Sequence, residues 1–94
     1  MTDQTIKMEI DTNDPRAKQF MSDGLSEYDL INMTAIIKDN HGDWYHAILL
    51  RTFYALLAHA DANNEAKLRS IYPGTCAAIK AWYNGDLPLR PSSE

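Results

Sequence analysis

The sequence predicts an all-α fold, a small helical bundle around a central buried helix, with an extended N-terminal arm or single strand. Residues 44–62 form a long apolar-rich segment without glycine or proline, which is typical of a helix in a protein core. Capping residues and helix breakers divide most of the remaining chain into short helical segments. Strict alternation of apolar and polar residues, the pattern of a strand, is confined to residues 5–11.

The central helix is predicted at about residues 43–62. Its large apolar side chains point in nearly every direction around a helical wheel, which indicates a helix buried on all sides. They are Ile48, Leu49, Leu50, Phe53, Tyr54, Leu56 and Leu57. The segment is too short, and too often interrupted by polar residues, to cross a bilayer.

The N-terminal arm alternates Ile6, Met8 and Ile10 with charged residues. Because a lone strand cannot satisfy its own backbone groups, the arm must lie on the helices, pair with its copy in another subunit, or add to a partner's sheet. A loosely ordered terminus is the alternative. We therefore divide the chain into an arm at 1–13, a helical domain at 14–85 and a tail at 86–94. The tail has two prolines and a polar end, and we expect it to be disordered.

Capping signals predict four shorter helices around the central one. Asp14, Ser26 and Thr75 are suited to N-cap positions, where a side-chain oxygen accepts a hydrogen bond from the first helical turn. The helices are predicted at Pro15 to about Ser22, Ser26 to about Lys38, Glu65 to Ile71, and Cys76 to about Asn84.

Composition narrows the classes of function. The 94 residues, 45% of them hydrophobic, suffice for one domain with one core. A formal charge of −4 argues against nucleic-acid binding, which needs clustered Lys and Arg over phosphates. The single cysteine, Cys76, permits no internal disulfide, and the N-terminus has no signal-peptide pattern. We expect a cytoplasmic protein that does not enter the membrane.

No stretch of the chain carries a catalytic signature, so we expect a protein that is not an enzyme and binds no cofactor. His46 and His59 are thirteen residues apart in one predicted helix, about 20 Å at a rise of 1.5 Å per residue, and cannot share a metal ion. The four glycines are scattered singly and do not form a phosphate-binding loop. Cys76 lies in an apolar context, which favours a structural thiol over a reactive one.

Two features allow either a structural or a functional interpretation. The aromatic residues Trp44, Tyr45, Trp82 and Tyr83 either pack in the core or anchor an interface, since Trp and Tyr are enriched where proteins bind. Arg51 lies in a stripe of small residues, where a structural ion pair or a snorkelling side chain is favoured over a functional cation.

The segment from Ala60 to Pro73 resembles a stretch found in small, uncharacterised helical proteins of bacteriophages and prophages. Those proteins carry an apolar helix followed by A-D-x-x-N-x-x-x-L-x-x-x-aromatic-Pro. The matching residues are Ala60, Asp61, Asn64, Leu68, Tyr72 and Pro73. This chain has Ala62 where such proteins often have proline. The resemblance implies a phage accessory protein, and small phage proteins without catalytic motifs commonly bind host proteins, including components of host immunity.

These observations favour a small phage-type accessory protein that binds and inhibits or redirects a host protein, for example as an anti-defence, anti-CRISPR-like factor. We expect a homodimer or larger oligomer in the host cytoplasm. The residues expected to bind the partner are Ile6, Met8, Ile10, Glu9, Asp11, Asp14, Trp44, Tyr45, Trp82 and Tyr83. The acidic ones favour a basic partner surface.

Two alternatives stay open. An oligomer can sequester a small anionic or nucleotide ligand between subunits, using Arg51, Lys67 and Arg69. A virion or assembly component is the other alternative. Sequence-specific DNA binding is the least favoured class of function, since the predicted helices include no basic recognition helix.

Overall fold

The computed structural model describes residues 8–92, so Ile6, the first part of the arm and the last two residues of the tail lie outside the described residues. The described chain is a helical bundle with a two-stranded antiparallel sheet. Its elements are β1 (Met8–Ile10), α1 (Pro15–Phe20), α2 (Glu27–Ile31), α3 (Met33–Lys38), α4 (Tyr45–His59), α5 (Ala62–Ile71), α6 (Pro73–Tyr83) and β2 (Leu89–Pro91). The predicted helical bundle with an N-terminal strand is confirmed at this level.

Within the tail, which we expected to be disordered, Leu89–Pro91 instead form β2. Strand β1 pairs with it in an antiparallel register that places Met8 opposite Pro91 and Ile10 opposite Leu89. The ribbon is held to the bundle by Ile10, which is buried in the core. Sequence reasoning missed β2 because Pro88 before it and Pro91 within it argue against a strand in general, although an edge strand tolerates proline. Within residues 8–10, the arm therefore pairs inside its own chain.

The predicted second helix is divided into α2 and α3 at Asn32. The Asn32 side-chain amide donates a hydrogen bond of 2.9 Å to the carbonyl of Tyr28, one turn earlier. Such back-bonding competes with regular helix geometry and bends the chain. The backbone hydrogen bond from Ile36 to the carbonyl of Asn32 keeps the two helices nearly continuous.

Helix α4 is the predicted central helix, but it is not buried on all sides. Its core side chains are Ala47, Leu50 and Phe53, which recur at helical spacing on one face. The opposite side remains exposed, with Ile48 at 49% and Leu56 at 47%. The prediction of a fully buried helix was wrong because helices pack against only part of α4. Within residues 8–92, its neighbour α5 contributes no fully buried side chain.

A buried carboxylate joins the starts of α2 and α4. Asp29 is 2% exposed, and one of its oxygens accepts hydrogen bonds from the backbone N–H and the hydroxyl of Ser26, at 2.8 and 3.0 Å. Its other oxygen accepts from Trp44 Nε1 at 2.8 Å. His46 Nδ1 lies 3.2 Å from the carboxylate. Trp44 is the N-cap residue of α4, so Asp29 fixes where that helix begins.

Helices α1 and α6 approach each other closely at Gly74. A β-carbon built at this position would collide with the carbonyl oxygen of Gln19 and lie 2.5 Å from Ser22 Oγ. The carboxylate of Asp23 accepts a hydrogen bond of 2.8 Å from the backbone N–H of Thr75, which satisfies a donor in the first turn of α6. Helix α6 begins at Pro73, three residues before the predicted start at Cys76. Thr75 therefore lies inside the helix and is not its N-cap.

None of the helices within residues 8–92 has the length and apolar character required to span a membrane.

We expect Asp29→Asn to lower the free energy of unfolding by about 2–4 kcal/mol, because the amide replaces an accepting oxygen with a donor that faces other donors. Urea denaturation followed by circular dichroism measures this loss. The control Asp39→Asn removes a carboxylate from an exposed residue and should change stability by no more than about 0.5 kcal/mol. Equal effects of the two substitutions would contradict the role assigned to Asp29.

We expect Gly74→Ala to destabilise the protein by about 1–3 kcal/mol through overpacking against α1. The sign is informative, since replacing glycine by alanine in an unobstructed helix raises stability by up to about 1 kcal/mol. The midpoint of thermal unfolding reports the change. A raised midpoint would show that α1 and α6 are not in close contact.

Candidate functional site

The first candidate site is a cleft between α4, α5 and α6, which we call the α6 cleft. Its volume is about 450 Å³, within the range of small-ligand and side-chain pockets. The apolar and aromatic lining comprises Tyr54, Leu57, Ala58, Ile79 and Tyr83. Tyr54 and Leu57 lie one turn apart on α4, and Ile79 and Tyr83 one turn apart on α6, so two helix faces line the cleft.

The aromatic wall of the α6 cleft is fixed from behind. The ring of Tyr54 packs edge-to-face against Trp82, with ring centres 5.7 Å apart. Trp82 in turn donates a hydrogen bond of 2.9 Å from Nε1 to Thr34 Oγ1. Because the ring behind it is held, Tyr54 presents a defined surface to the cleft. Tyr83, on the opposite wall, is 71% exposed and is free to contact a bound group.

Charged side chains line the same cleft. Arg69 and Lys80 contribute two cationic groups and Glu65 one carboxylate. Arg69 and Glu65 form an ion pair of 2.6 Å between successive turns of α5, and each side chain is close to half exposed. An exposed pair of this kind contributes little to stability, so a bound anion can compete with Glu65 for Arg69. The cleft combines an apolar wall with a cationic rim.

Cys76 also lines the α6 cleft but is not suited to nucleophilic chemistry. Burial raises the pKa of its thiol, and the nearby Arg69 opposes this only in part. A nucleophilic cysteine needs the opposite shift, toward the thiolate. Across residues 8–92, no group of three or more His, Cys, Asp or Glu side chains is placed to hold a metal ion.

A second, more open cleft lies between α4 and α5 and has a volume of about 610 Å³. Lys67 lines this cleft, whereas Arg69 lines the α6 cleft. Arg51 lines neither and instead donates long hydrogen bonds of 3.4 Å to the carbonyls of Ile36 and His41. Within one chain, the three cations expected to bind an anionic ligand are therefore not brought together. Arg51 has a structural role at the end of α3.

The residues predicted on the arm are mostly engaged inside the chain. Ile10 is buried in the core, while Met8 is partly exposed. Glu9 forms an ion pair with Arg90 on β2. The carboxylate of Asp11 accepts a hydrogen bond of 3.0 Å from the backbone N–H of Asn13.

Asp14 is the N-cap of α1 and pairs with Arg16 at 3.0 Å. Hydrogen bonds from the Arg16 side chain and backbone hold the pKa of Asp14 below its ordinary value. With Glu9 and Asp14 both paired, the arm offers less free negative charge to a basic partner than the sequence predicts.

The four predicted aromatic residues divide into two pairs. Trp44 and Trp82 are half-buried and donate to Asp29 and Thr34, so they are structural. Tyr45 and Tyr83 are exposed, at 65% and 71%. The Tyr45 hydroxyl lies 3.0 Å from that of Tyr72, and this hydrogen bond raises the pKa of Tyr72.

Sequence reasoning did not single out Tyr54, Ile79 and Lys80 as site residues. Their helical spacing shows which residues share a face on α4 or on α6, but not that the two faces meet. A comparison of the chain with protein-family models, curated proteins and solved structures found no match.

We expect the thiol of Cys76 to react with a disulfide reagent at least about tenfold more slowly in the folded protein than in urea, because burial limits access and raises its pKa. Its rate should also begin to rise at a higher pH than that of an exposed thiol. Absorbance of the released reagent measures both rates.

The control thiol is introduced by Ser70→Cys, at an exposed position of α5, in a chain that also carries Cys76→Ala. Similar rates and pH profiles for the two thiols would contradict the assignment of Cys76 as a buried, unreactive group.

Proposed function

We propose that this chain is a non-enzymatic, phage-type accessory protein that inhibits or redirects a host protein by occupying its surface. The α6 cleft is the proposed contact, and its occupant is an apolar segment of the partner that carries an acidic side chain. The combination of an apolar, aromatic wall with Arg69 and Lys80 at the rim is the observation that supports this best.

The shape and composition of the cleft suit a side chain presented by another protein. Apolar walls remove the side chain from water, and aromatic residues such as Tyr54 and Tyr83 contribute large contact areas at interfaces. A cavity of about 450 Å³ accommodates a few side chains rather than a whole domain. The partner would therefore insert a short anchor, with the surrounding helices excluding water from it.

The charges at the rim favour an acidic partner. The guanidinium of Arg69 can bind a carboxylate through two parallel hydrogen bonds, which Lys80 cannot. The chain as a whole has a formal charge of −4, so a cationic rim is a local feature that would orient an acidic segment. A partner carboxylate at this position would take the place of Glu65 beside Arg69.

The phage context comes from the resemblance of residues 60–73, whose matching side chains have structural roles here. Asp61 caps α5 by accepting a hydrogen bond of 2.8 Å from the backbone N–H of Asn64. Leu68 packs against the core, and Tyr72 lies between α5 and α6. The α5 residues of the α6 cleft, Glu65 and Arg69, lie within this segment, while its motif residues Ala60, Asn64 and Leu68 line the second cleft. On this basis we propose a host defence component as the target, a steric mechanism, action in the host cytoplasm, and a homodimer or larger oligomer.

A second candidate function is binding of a small anionic ligand with an aromatic body, such as a nucleotide. The volume of the α6 cleft suits a ligand of this size, and the ring of Tyr83 can stack on a base. This candidate uses Arg69 from the predicted ligand set, with Lys80 in place of Arg51 and Lys67. Mass spectrometry of the extract released by denaturing the purified protein distinguishes the two. A stoichiometric nucleotide would favour the small ligand.

We expect Arg69→Glu and Lys80→Glu each to weaken binding of the host partner at least about tenfold, because each reverses a charge at the rim of the cleft. The partner is first captured from lysate on the immobilised chain and identified, and its Kd is then measured by calorimetry. The control Lys18→Glu reverses an exposed charge on α1 and should leave Kd within about twofold. Equal effects at all three positions would place the contact outside the cleft.

A further inference from the structure

One side of α4 remains uncovered by the rest of the described chain. We call it the outer face of α4, consisting of Tyr45, Ile48, Thr52, Leu56 and His59, all exposed. It lies opposite the buried residues Leu50 and Phe53. Tyr45 is 65%, Ile48 49% and Leu56 47% exposed, so large apolar groups face water on both sides of Thr52, which occupies the turn between Ile48 and Leu56. Apolar surface of this kind on a soluble protein marks a contact with another molecule.

The spacing along this face is symmetric about Thr52. Ile48 and Leu56 lie four positions on either side of it, and Tyr45 and His59 seven positions on either side. On a helix with 3.6 residues per turn, these positions also lie symmetrically to the left and right of Thr52. Each half of the face therefore carries a large aliphatic side chain four residues from Thr52 and a ring with a polar atom seven residues from it.

We propose that a second copy of this chain packs on the outer face of α4, with the two helices antiparallel and a twofold axis passing at Thr52. In this arrangement Ile48 of each copy meets Leu56 of the other, and Tyr45 meets His59. An interface between identical copies uses the same patch twice and so requires this self-complementarity. A foreign partner imposes no such symmetry, and this favours the second copy as the occupant.

The charges at the two ends of the face are consistent with antiparallel packing. The exposed Asp43 precedes Tyr45 at the start of α4, while Lys67 lies beside Leu56 and His59 at the other end. Antiparallel packing about Thr52 brings Asp43 of each copy to the end of the other copy that carries both Lys67 and Asp61. The carboxylate of Asp61 already accepts the hydrogen bond that caps α5, whereas Lys67 lines the open second cleft, so we expect Asp43 to pair with Lys67. Antiparallel helix dipoles add to the attraction.

The small side chains of Thr52 and Ala55 allow the two helices to approach closely. Tyr54 and Leu57, the α4 residues of the α6 cleft, are half-buried and lie on the inner side of the helix. A dimer through the outer face thus leaves both α6 clefts accessible and presents them as a pair. The interface is a more specific form of the oligomer in the proposed function, but it does not depend on the identity of the partner.

The mass of the full chain in solution, measured by light scattering at micromolar and near-millimolar concentrations, tests the proposal. We expect twice the monomer mass for the unmodified chain. The double substitution Ile48→Glu with Leu56→Glu should give the monomer mass, because it places four carboxylates across the axis. The control Tyr83→Glu, in the α6 cleft, should remain a dimer. A monomeric unmodified chain, or a dimer that survives the double substitution, would overturn the proposal.

Disulfide crosslinking locates the axis without relying on destabilising variants. In a chain that carries Cys76→Ala, we expect Thr52→Cys to form a linked dimer under mild oxidation, because the two copies of position 52 face each other. The control Ala55→Cys lies on the same side of α4, but its two copies are about 9 Å apart along the helix axis, beyond the reach of a disulfide. Equal linkage at both positions, or none at position 52, would overturn the twofold arrangement.

The two proposals fail in different ways. Loss of partner binding by Lys80→Glu in a chain that stays dimeric supports the cleft and leaves the interface intact. A dimer linked through position 52 that captures no host protein would refute the proposed function while supporting the interface.

Discussion

The buried carboxylate of Asp29 is the interaction on which the arrangement of the described chain depends. It accepts hydrogen bonds from Ser26 and Trp44 and lies within 3.2 Å of His46. These contacts join the first turn of α2 to the first turn of α4, two segments that are separated by the whole of α3. A buried charge is tolerated only when its hydrogen-bonding capacity is satisfied. Asp29 therefore specifies where α4 starts and which of its sides faces the core.

With α4 oriented in this way, the helices packed against it cover only one of its sides, so α4 has a buried side and an exposed side. Leu50 and Phe53 face the core, while the outer face is left to solvent. Helix α5 contributes no fully buried side chain, and its Glu65 and Arg69 join Lys80 of α6 as the charged groups of the α6 cleft. A bundle of this size cannot cover every side of its most apolar helix. The exposed remainder is the surface on which we place the proposed contacts.

The local features of the fold were readable from the sequence. Asp14 and Ser26 cap helices as predicted, because a short polar side chain before an apolar run satisfies the first turn. Thr75 does not, since α6 begins before it. Strand β2 was not readable, since the prolines around Arg90 suppress the usual strand signal and the pairing with β1 joins opposite ends of the chain. The wrong prediction that α4 is buried on all sides has a similar origin. Hydrophobicity shows that side chains favour burial, but not whether enough neighbouring helices exist to bury them.

By itself, the sequence determined the helical class and the approximate helix boundaries. Local propensities and capping act over a few residues, so the chain order alone carries them. Only the tertiary structure decided that Trp44 and Trp82 serve as internal donors and that Tyr54 and Lys80 share a cleft with Arg69. Those outcomes depend on which helix faces meet, and this is set by packing between segments far apart in the chain.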